Sequence, residues 1–419
     1  MATSAEVPET PFDRSLLPAA LRDADLEALA REFGTPVFVY DEEHLRQRCR
    51  DYVAQFGAEN VAYAGKAFLC TAMARLVAEE GLHLDVATGG ELFVALRAGF
   101  PPARLVMHGN NKSDAEIEMA RDAGVGRIVA DSFDEIDRLE RIGFDGEVLV
   151  RVTPGVEAHT HEFIQTGTDD SKFGFTVSTG AAGDAVARVA ASPALRFGGI
   201  HAHIGSQVFR LDSYAEAAGV VARFADDCER ATGVTIPVVD LGGGLGARYL
   251  TTDEDPSIAE YAAALRTGLG DRRVMVEPGR SIAAVAGITL YRVGTVKAIP
   301  DGRTYVAVDG GMSDNPRPVL YGAGYEAYLA SRPDVPRPRR VAVAGKHCEQ
   351  GDVIIGEGRL PADVAVGDLL VTPVTGAYGT SMASNYNKVP RPAVVFVRDG
   401  AARVVVRRET YEDLVRLDT

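Results

Sequence analysis

Eight short apolar runs, many of them β-branched, recur between Val61 and Gly279, and the segments separating several of them carry apolar residues at helical spacing. They begin at Val61 (VAYAGK), His83 (HLDVAT), Arg104 (RLVMHG), Arg127 (RIVADS), Glu147 (EVLVRV), Gly199 (GIHAHI), Pro237 (PVVDLG) and Arg273 (RVMVEPG). This alternation is restrictive, because parallel strands need long crossover connections and both faces of a parallel sheet must be covered. It predicts an α/β fold built on a parallel (β/α)8 barrel of the TIM type, with a doubly wound open sheet as the alternative. Between the runs, Leu92, Phe93 and Leu96 stop at Gly99, and Phe133, Ile136, Leu139 and Ile142 stop at Gly143. Ser113 and Glu116 form a capping-box pattern ahead of Ile117.

The texture changes on either side of this region. Helical stretches are predicted over Leu16 to Phe33, ending at Gly34, before a strand-like Pro36–Tyr40. Beyond Ser281, runs at Ile288–Val296, Thr304–Val308, Arg340–Val343, Asp368–Pro373, Ala393–Val397 and Ala402–Val406 are separated by turn residues. That pattern predicts a mostly antiparallel β-sandwich or barrel domain. The expected organisation is a segment 1–42 contributing to the β domain, a barrel over 43–281, and the β domain over 282–419.

Composition limits the function. With 44 Lys+Arg against 59 Asp+Glu, the 419-residue chain carries a formal charge of −15 and lacks the clustered cations that nucleic acid or an anionic membrane would require. Cys49, Cys70, Cys228 and Cys348 are too sparse and too scattered for a disulfide framework, and read as reduced thiols of a cytoplasmic protein. No basic, apolar leader and no long apolar span is visible, so neither export nor membrane insertion is expected.

In such a barrel the chemistry gathers at the C-terminal ends of the strands. Those ends carry Lys66, Asp85, His108, Asp131, Arg151, His201 with His203, Asp240 and Glu277. Lys66 reads either as a solvated lysine or as an amine able to condense with an aldehyde. His201 and His203, alternating on a strand, admit a metal pair, core histidines, or an aromatic plane against a flat cofactor. Gly242-Gly-Gly-Leu-Gly-Ala247 matches the dinucleotide fingerprint formally, but the sequence after it is a poor helix start. It stands as a tight turn or as backbone N–H groups around a phosphate. Three polar, glycine-rich clusters follow, at Asp309–Tyr321, Gly345–Asp352 and Thr375–Asn387, each readable as an ordered loop. Gln165–Lys172 reads as a mobile loop near the barrel mouth.

Taken in order, YAGKA, DVATGGEL, HGNNKS, HAHIGSQ, DLGGGLG, EPGR, DGGMSDNPRPVLY, CEQGD and GAYGTSMASNYN resemble the diaminopimelate decarboxylase family of fold-type III pyridoxal-phosphate enzymes. The resemblance covers about Thr35 to Pro392, and Phe68 and Gln350 depart from the family's usual residues. It implies pyridoxal 5'-phosphate as cofactor and decarboxylation of meso-2,6-diaminopimelate to L-lysine and CO2, the last step of lysine biosynthesis. Lys66 would be the Schiff-base lysine, His203 would stack on the pyridine ring, and Glu277 would hold the ring nitrogen protonated. The resemblance further implies that Ser206, Gly243, Gly244, Gly279, Arg280 and Tyr378 hold the phosphate, and that Asp85 belongs to the cofactor set. Arg280, Arg317, Tyr321, Glu349 and Tyr378 would bind substrate. Cys348 would return a proton to the carbanion, entering with Glu349 from the partner of a homodimer.

Overall fold

The structure, a computed structural model, describes residues 10–155, 171–203, 205–300 and 302–419. Its strands are β1 (Val37–Asp41), β2 (Ala62–Ala64), β3 (His83–Val86), β4 (Leu105–Met107), β5 (Arg127–Ala130), β6 (Glu147–Thr153), β7 (Phe175–Thr176), β8 (Arg196–His201), β9 (Val239–Asp240) and β10 (Val274–Met275). There follow β11 (Gly287–Ala298), β12 (Thr304–Val308), β13 (Tyr328–Leu329), β14 (Arg339–Ala344), β15 (Val353–Leu360), β16 (Leu369–Thr372), β17 (Ala393–Arg398) and β18 (Ala401–Val406). The chain forms two compact units, one of Arg46–Gly246 with Asp255–Ser281, the other of Met1–Leu45, Ala247–Glu254 and Ile282–Thr419.

The first unit is the predicted parallel barrel. Its strand order is β10-β9-β8-β6-β5-β4-β3-β2, with the short β7 attached to β6. Val61 bridges Val276 in parallel, and the Ala62 and Ala64 amides donate to the Val276 and Pro278 carbonyls at 2.9 and 3.0 Å. These bonds join the first barrel strand to the last and exclude the open-sheet alternative. Ala62, Val106, Val129, Leu149, Val238 and Met275 fill the interior. Burying them out of water is the main drive for closure.

The connecting helices obey their end signals. The helix Asp114–Ala123 starts with the full Ser113/Glu116 capping box, and the helix Phe133–Ile142 ends at Gly143 with φ +78°. Of the apolar positions counted in the sequence, Phe93 and Phe133 face outward, so helical spacing placed them one step off the core face. The N-terminal stretch is broken into Arg14–Leu16, Ala19–Asp23 and Leu26–Phe33, the last capped by the Asp25 side chain and followed by Gly34 at φ +71°.

The second unit is a mostly antiparallel sheet ordered β15-β14-β12-β11-β1-β17-β18, with β16 on β11 and β13 on β16. β1 lies between β11 and β17, pairing antiparallel with the first and parallel with the second. β15 was not visible as a run, because Gly356, Glu357 and Gly358 interrupt its apolar alternation. Among the described residues no helix is long and apolar enough to cross a membrane. Of Gln165–Lys172, only the last two residues lie within the described part of the chain.

Candidate active site

Each barrel strand delivers a polar side chain to one end, and burial dictates what those side chains must do there. Glu277, two residues past β10, is almost wholly buried. Its Oε1 lies 2.6 Å from His108 Nε2 and its Oε2 3.2 Å from His201 Nε2. Burial alone would push the Glu277 carboxyl up, but the His108 charge and the hydrogen bonds of His108 and His201 outweigh it and hold the group well below the usual carboxylate range. Burial opposes charging of His108, yet Glu277 and Asp85 carry it above its ordinary value. His201 is pulled down to about 4 by burial, against the attraction of Glu277, and is neutral near pH 7. Asp240 is raised well above its ordinary value, first by burial and then by the Glu277 charge.

The alternation expected of His201 and His203 does not hold, because β8 ends at His201. His201 turns onto Glu277, while half-buried His203 lies against the glycine loop: a Cβ on Gly242 would come within 2.5 Å of His203 Nδ1. Gly242 also has φ +64°, so both its backbone and its neighbour demand glycine. A metal pair at His201 and His203 is therefore not the arrangement found; the three convergent groups are His108, His201 and Glu277.

Lys66 is exposed, on the short turn Gly65–Ala67 that follows β2. Asp85, within β3, is buried with its Oδ1 3.9 Å from His108 Nε2 and its Oδ2 without a hydrogen-bond partner among the described residues. Arg151 lies 3.8 Å from Asp131 and stacks over the Phe173 ring at 4.3 Å. Arg280 opens the four-residue helix Arg280–Ala283 and donates from Nε and Nη2 to Ser206 Oγ at 3.3 and 2.9 Å. A Cβ on Gly243 would sit 2.2 Å from the Glu277 carbonyl, so only a bare backbone fits between the glycine loop and the strand that carries Glu277. An exposed amine, an ionised carboxylate, an aromatic imidazole face and a glycine loop beside Ser206 and Arg280 form a donor set that fits an aldehyde-bearing pyridinium phosphate. The unpartnered Asp85 oxygen adds an acceptor that protein groups leave unused.

The β unit gathers its own polar set. Arg317 begins the helix Arg317–Tyr321, is 7% exposed, and donates from Nη1 to the Tyr325 hydroxyl at 2.6 Å. Its guanidinium lies 4.4 Å over the Tyr249 ring, and among the described residues no carboxylate pairs with it. Tyr378 adopts φ +61°, in the left-handed region that residues with a side chain seldom hold. Tyr321 closes the Arg317 helix. Cys348 and Glu349 are exposed, in a loop fastened by the Asp352 carboxylate, which accepts from the Met312 and His347 amides at 2.6 and 2.8 Å. His347 Nε2 meets Ser313 Oγ at 2.8 Å, and the Cys348 amide donates to Asn387 Oδ1 at 3.1 Å. Neither Tyr249 nor Tyr325 stands out in the sequence, because neither falls at a strand end or within a polar, glycine-rich cluster.

A barrel with a lysine just past its first strand, a buried ionised glutamate just past its last and a glycine loop beside Ser206 and Arg280 fits a pyridoxal-phosphate-dependent enzyme. The family described as the pyridoxal-binding domain of pyridoxal-dependent decarboxylases matches residues 42–284. The chain is 52% identical to the diaminopimelate decarboxylase of Mycobacterium tuberculosis, covering 94% of this chain and 93% of that one. It is 47% identical to the enzyme of the same name from Bacillus subtilis, over 93% and 92%. The Helicobacter pylori diaminopimelate decarboxylase complexed with L-lysine superposes with a TM-score of 0.87 at 32% identity, covering 94% of this chain and 99% of that chain. The chain belongs to the diaminopimelate decarboxylase family.

Proposed function

We propose that this chain decarboxylates meso-2,6-diaminopimelate to L-lysine and CO2, completing lysine biosynthesis. Lys66 would present the amine that holds the cofactor aldehyde. Glu277, kept ionised by His108 and His201, would hold a proton on the ring nitrogen, and His203 would cover one ring face. Ser206, Gly243, Gly244, Gly279, Arg280 and the Tyr378 hydroxyl hold the phosphate, and Asp85 completes the polar set. Pyridoxal phosphate, when bound, supplies the electron sink for the pair left behind as CO2 departs.

Arg317 takes the carboxylate of the substrate's non-reacting end, aided by Arg280, Tyr321 and Tyr378, while Glu349 takes its ammonium. Cys348 delivers the proton that replaces CO2, and it does so with Glu349 from the partner subunit of a cytoplasmic homodimer. What supports the substrate assignment is above all Arg317: a buried guanidinium with no carboxylate partner among the described residues offers N–H donors suited to one.

The test is a product assay on protein supplied with pyridoxal phosphate. Equimolar L-lysine and CO2 from diaminopimelate are expected, with a visible absorbance band that Lys66→Ala displaces. Absence of lysine from fully loaded protein would refute the assignment. Restored activity on mixing Lys66→Ala with Cys348→Ala chains would support sites completed across a dimer, and failure in mixed dimers would oppose it.

A further inference from the structure

We propose that Tyr325 and Tyr249 are the residues that turn Arg317 into a two-pronged carboxylate site. This rests on the reading of Arg317 given above and adds what orients it. A guanidinium offers five N–H donors along two usable edges, and a carboxylate pairs best with one whole edge. Left unconstrained, an arginine can present either edge or rotate between them.

Here both freedoms are removed. The Tyr325 hydroxyl takes an Nη1–H at 2.6 Å, which commits that nitrogen to the protein. Among the described residues Nε and Nη2 make no hydrogen bond, so the side-on edge is left whole. The Tyr249 ring, 4.4 Å from the guanidinium carbon, fixes the plane in which that edge lies. Tyr249 and Tyr325 meet edge to face, with centroids 5.4 Å apart at 88°, so each ring limits the other.

The two tyrosines are also tied together through the backbone. Thr251 donates from its amide and hydroxyl to Glu326 Oε1 at 2.8 and 2.7 Å, and Asp253 caps the Tyr249 and Leu250 amides at 2.9 Å. Arg337 holds the other Glu326 oxygen at 3.3 Å. The turn carrying Tyr249 is therefore fastened one residue away from Tyr325. Tyr249 and Tyr325 are positioning residues: they act on the substrate through Arg317, and their role is selectivity for an end bearing a carboxylate.

The experiment compares two inhibitors of the cofactor-loaded enzyme. L-Lysine retains the carboxylate of the non-reacting end, and cadaverine lacks it. For Tyr325→Phe, the KM for diaminopimelate and the inhibition constant for L-lysine are each expected to rise about ten-fold. Its kcat should stay within about two-fold and its inhibition by cadaverine should not change. Tyr249→Leu should behave likewise, and Tyr249→Phe, which keeps the ring, should restore wild-type values. Parallel weakening of both inhibitors, or no weakening of L-lysine, would overturn the proposal. If Arg317→Leu weakens L-lysine while both tyrosine variants match wild type, only the orienting role falls. If Arg317→Leu leaves L-lysine binding intact, the reading of Arg317 falls, and the proposal with it. Should Tyr249→Leu fail to fold, Tyr325→Phe decides alone, since it removes one oxygen.

Discussion

Glu277 accepts one hydrogen bond on each carboxylate oxygen, from His108 Nε2 at 2.6 Å and from His201 Nε2 at 3.2 Å. The two histidines come from strand ends 169 and 76 residues away in sequence, so the clamp exists only once the barrel closes. It fixes where the negative charge points and keeps it a charge. Glu277→Gln removes the charge at nearly constant shape. It is expected to lower kcat by about 10²-fold or more, because preorganised charge is worth most in a buried site. Circular dichroism should remain unchanged, and wild-type turnover in this variant would remove the assigned role.

Lys112 and Glu135 form an almost fully buried ion pair at 2.6 Å, and Lys112 also donates to the Gly109 and Val129 carbonyls at 2.7 Å. The pair ties the loop after β4 to the first turn of the helix Phe133–Ile142, next to His108 and Asp131. Lys112→Met would strand the Glu135 charge and is expected to cost ~3–5 kcal/mol. Chemical denaturation reads this directly, and a loss below ~1 kcal/mol would show that Glu135 finds other partners.

Asp314 is buried beneath Tyr291, whose hydroxyl donates to it at 2.5 Å. Burial pushes its carboxyl up to about 7, against the hydrogen bonds from Tyr291 and Gly311. Between the unfolded value near 4 and about 7, the folded protein binds the extra proton, so this group's contribution to stability falls as pH rises. His201, depressed to about 4, works in the opposite direction up to its unfolded value near 6.5. The difference between wild type and Asp314→Asn isolates the first effect. Denaturation at pH 5 and pH 7.5 should show wild type losing on the order of a few kcal/mol more than the variant. Equal losses would contradict the burial argument.

Cys348 is exposed, whereas Cys49, Cys70 and Cys228 are buried and the Cys49 thiol is pushed up to about 12 by burial. A disulfide reagent at pH 8 is expected to modify one thiol per chain rapidly. Cys348→Ala should abolish that fast phase; its persistence would mean that a buried cysteine opens to solvent.

Much of the barrel could be read from sequence because its signals are local. Ala62–Ala64, His83–Val86 and Arg127–Ala130 are strands that the apolar runs mark, and Ser113 with Glu116 marks a helix start within four residues. β15 escaped because Gly356 and Gly358 blur the apolar alternation, although pairing with β14 stabilises the strand regardless. Lys66, Glu277 and the Gly242–Gly244 turn were legible as strand-end chemistry because the barrel fold itself makes strand ends the place to look.

The order of elements, the closed parallel topology and the identity of the polar strand ends were thus determined by periodicity and by turn chemistry, which act over a few residues. Only the tertiary structure decided that Glu277 is shared between His108 and His201, and that Arg317 lies over Tyr249 with its Nη1 held by Tyr325. Those relationships join residues far apart in sequence, or turn on which edge of a side chain is occupied. They come from burial, which removes water as a partner and leaves the fold to decide which donors and charges are paired.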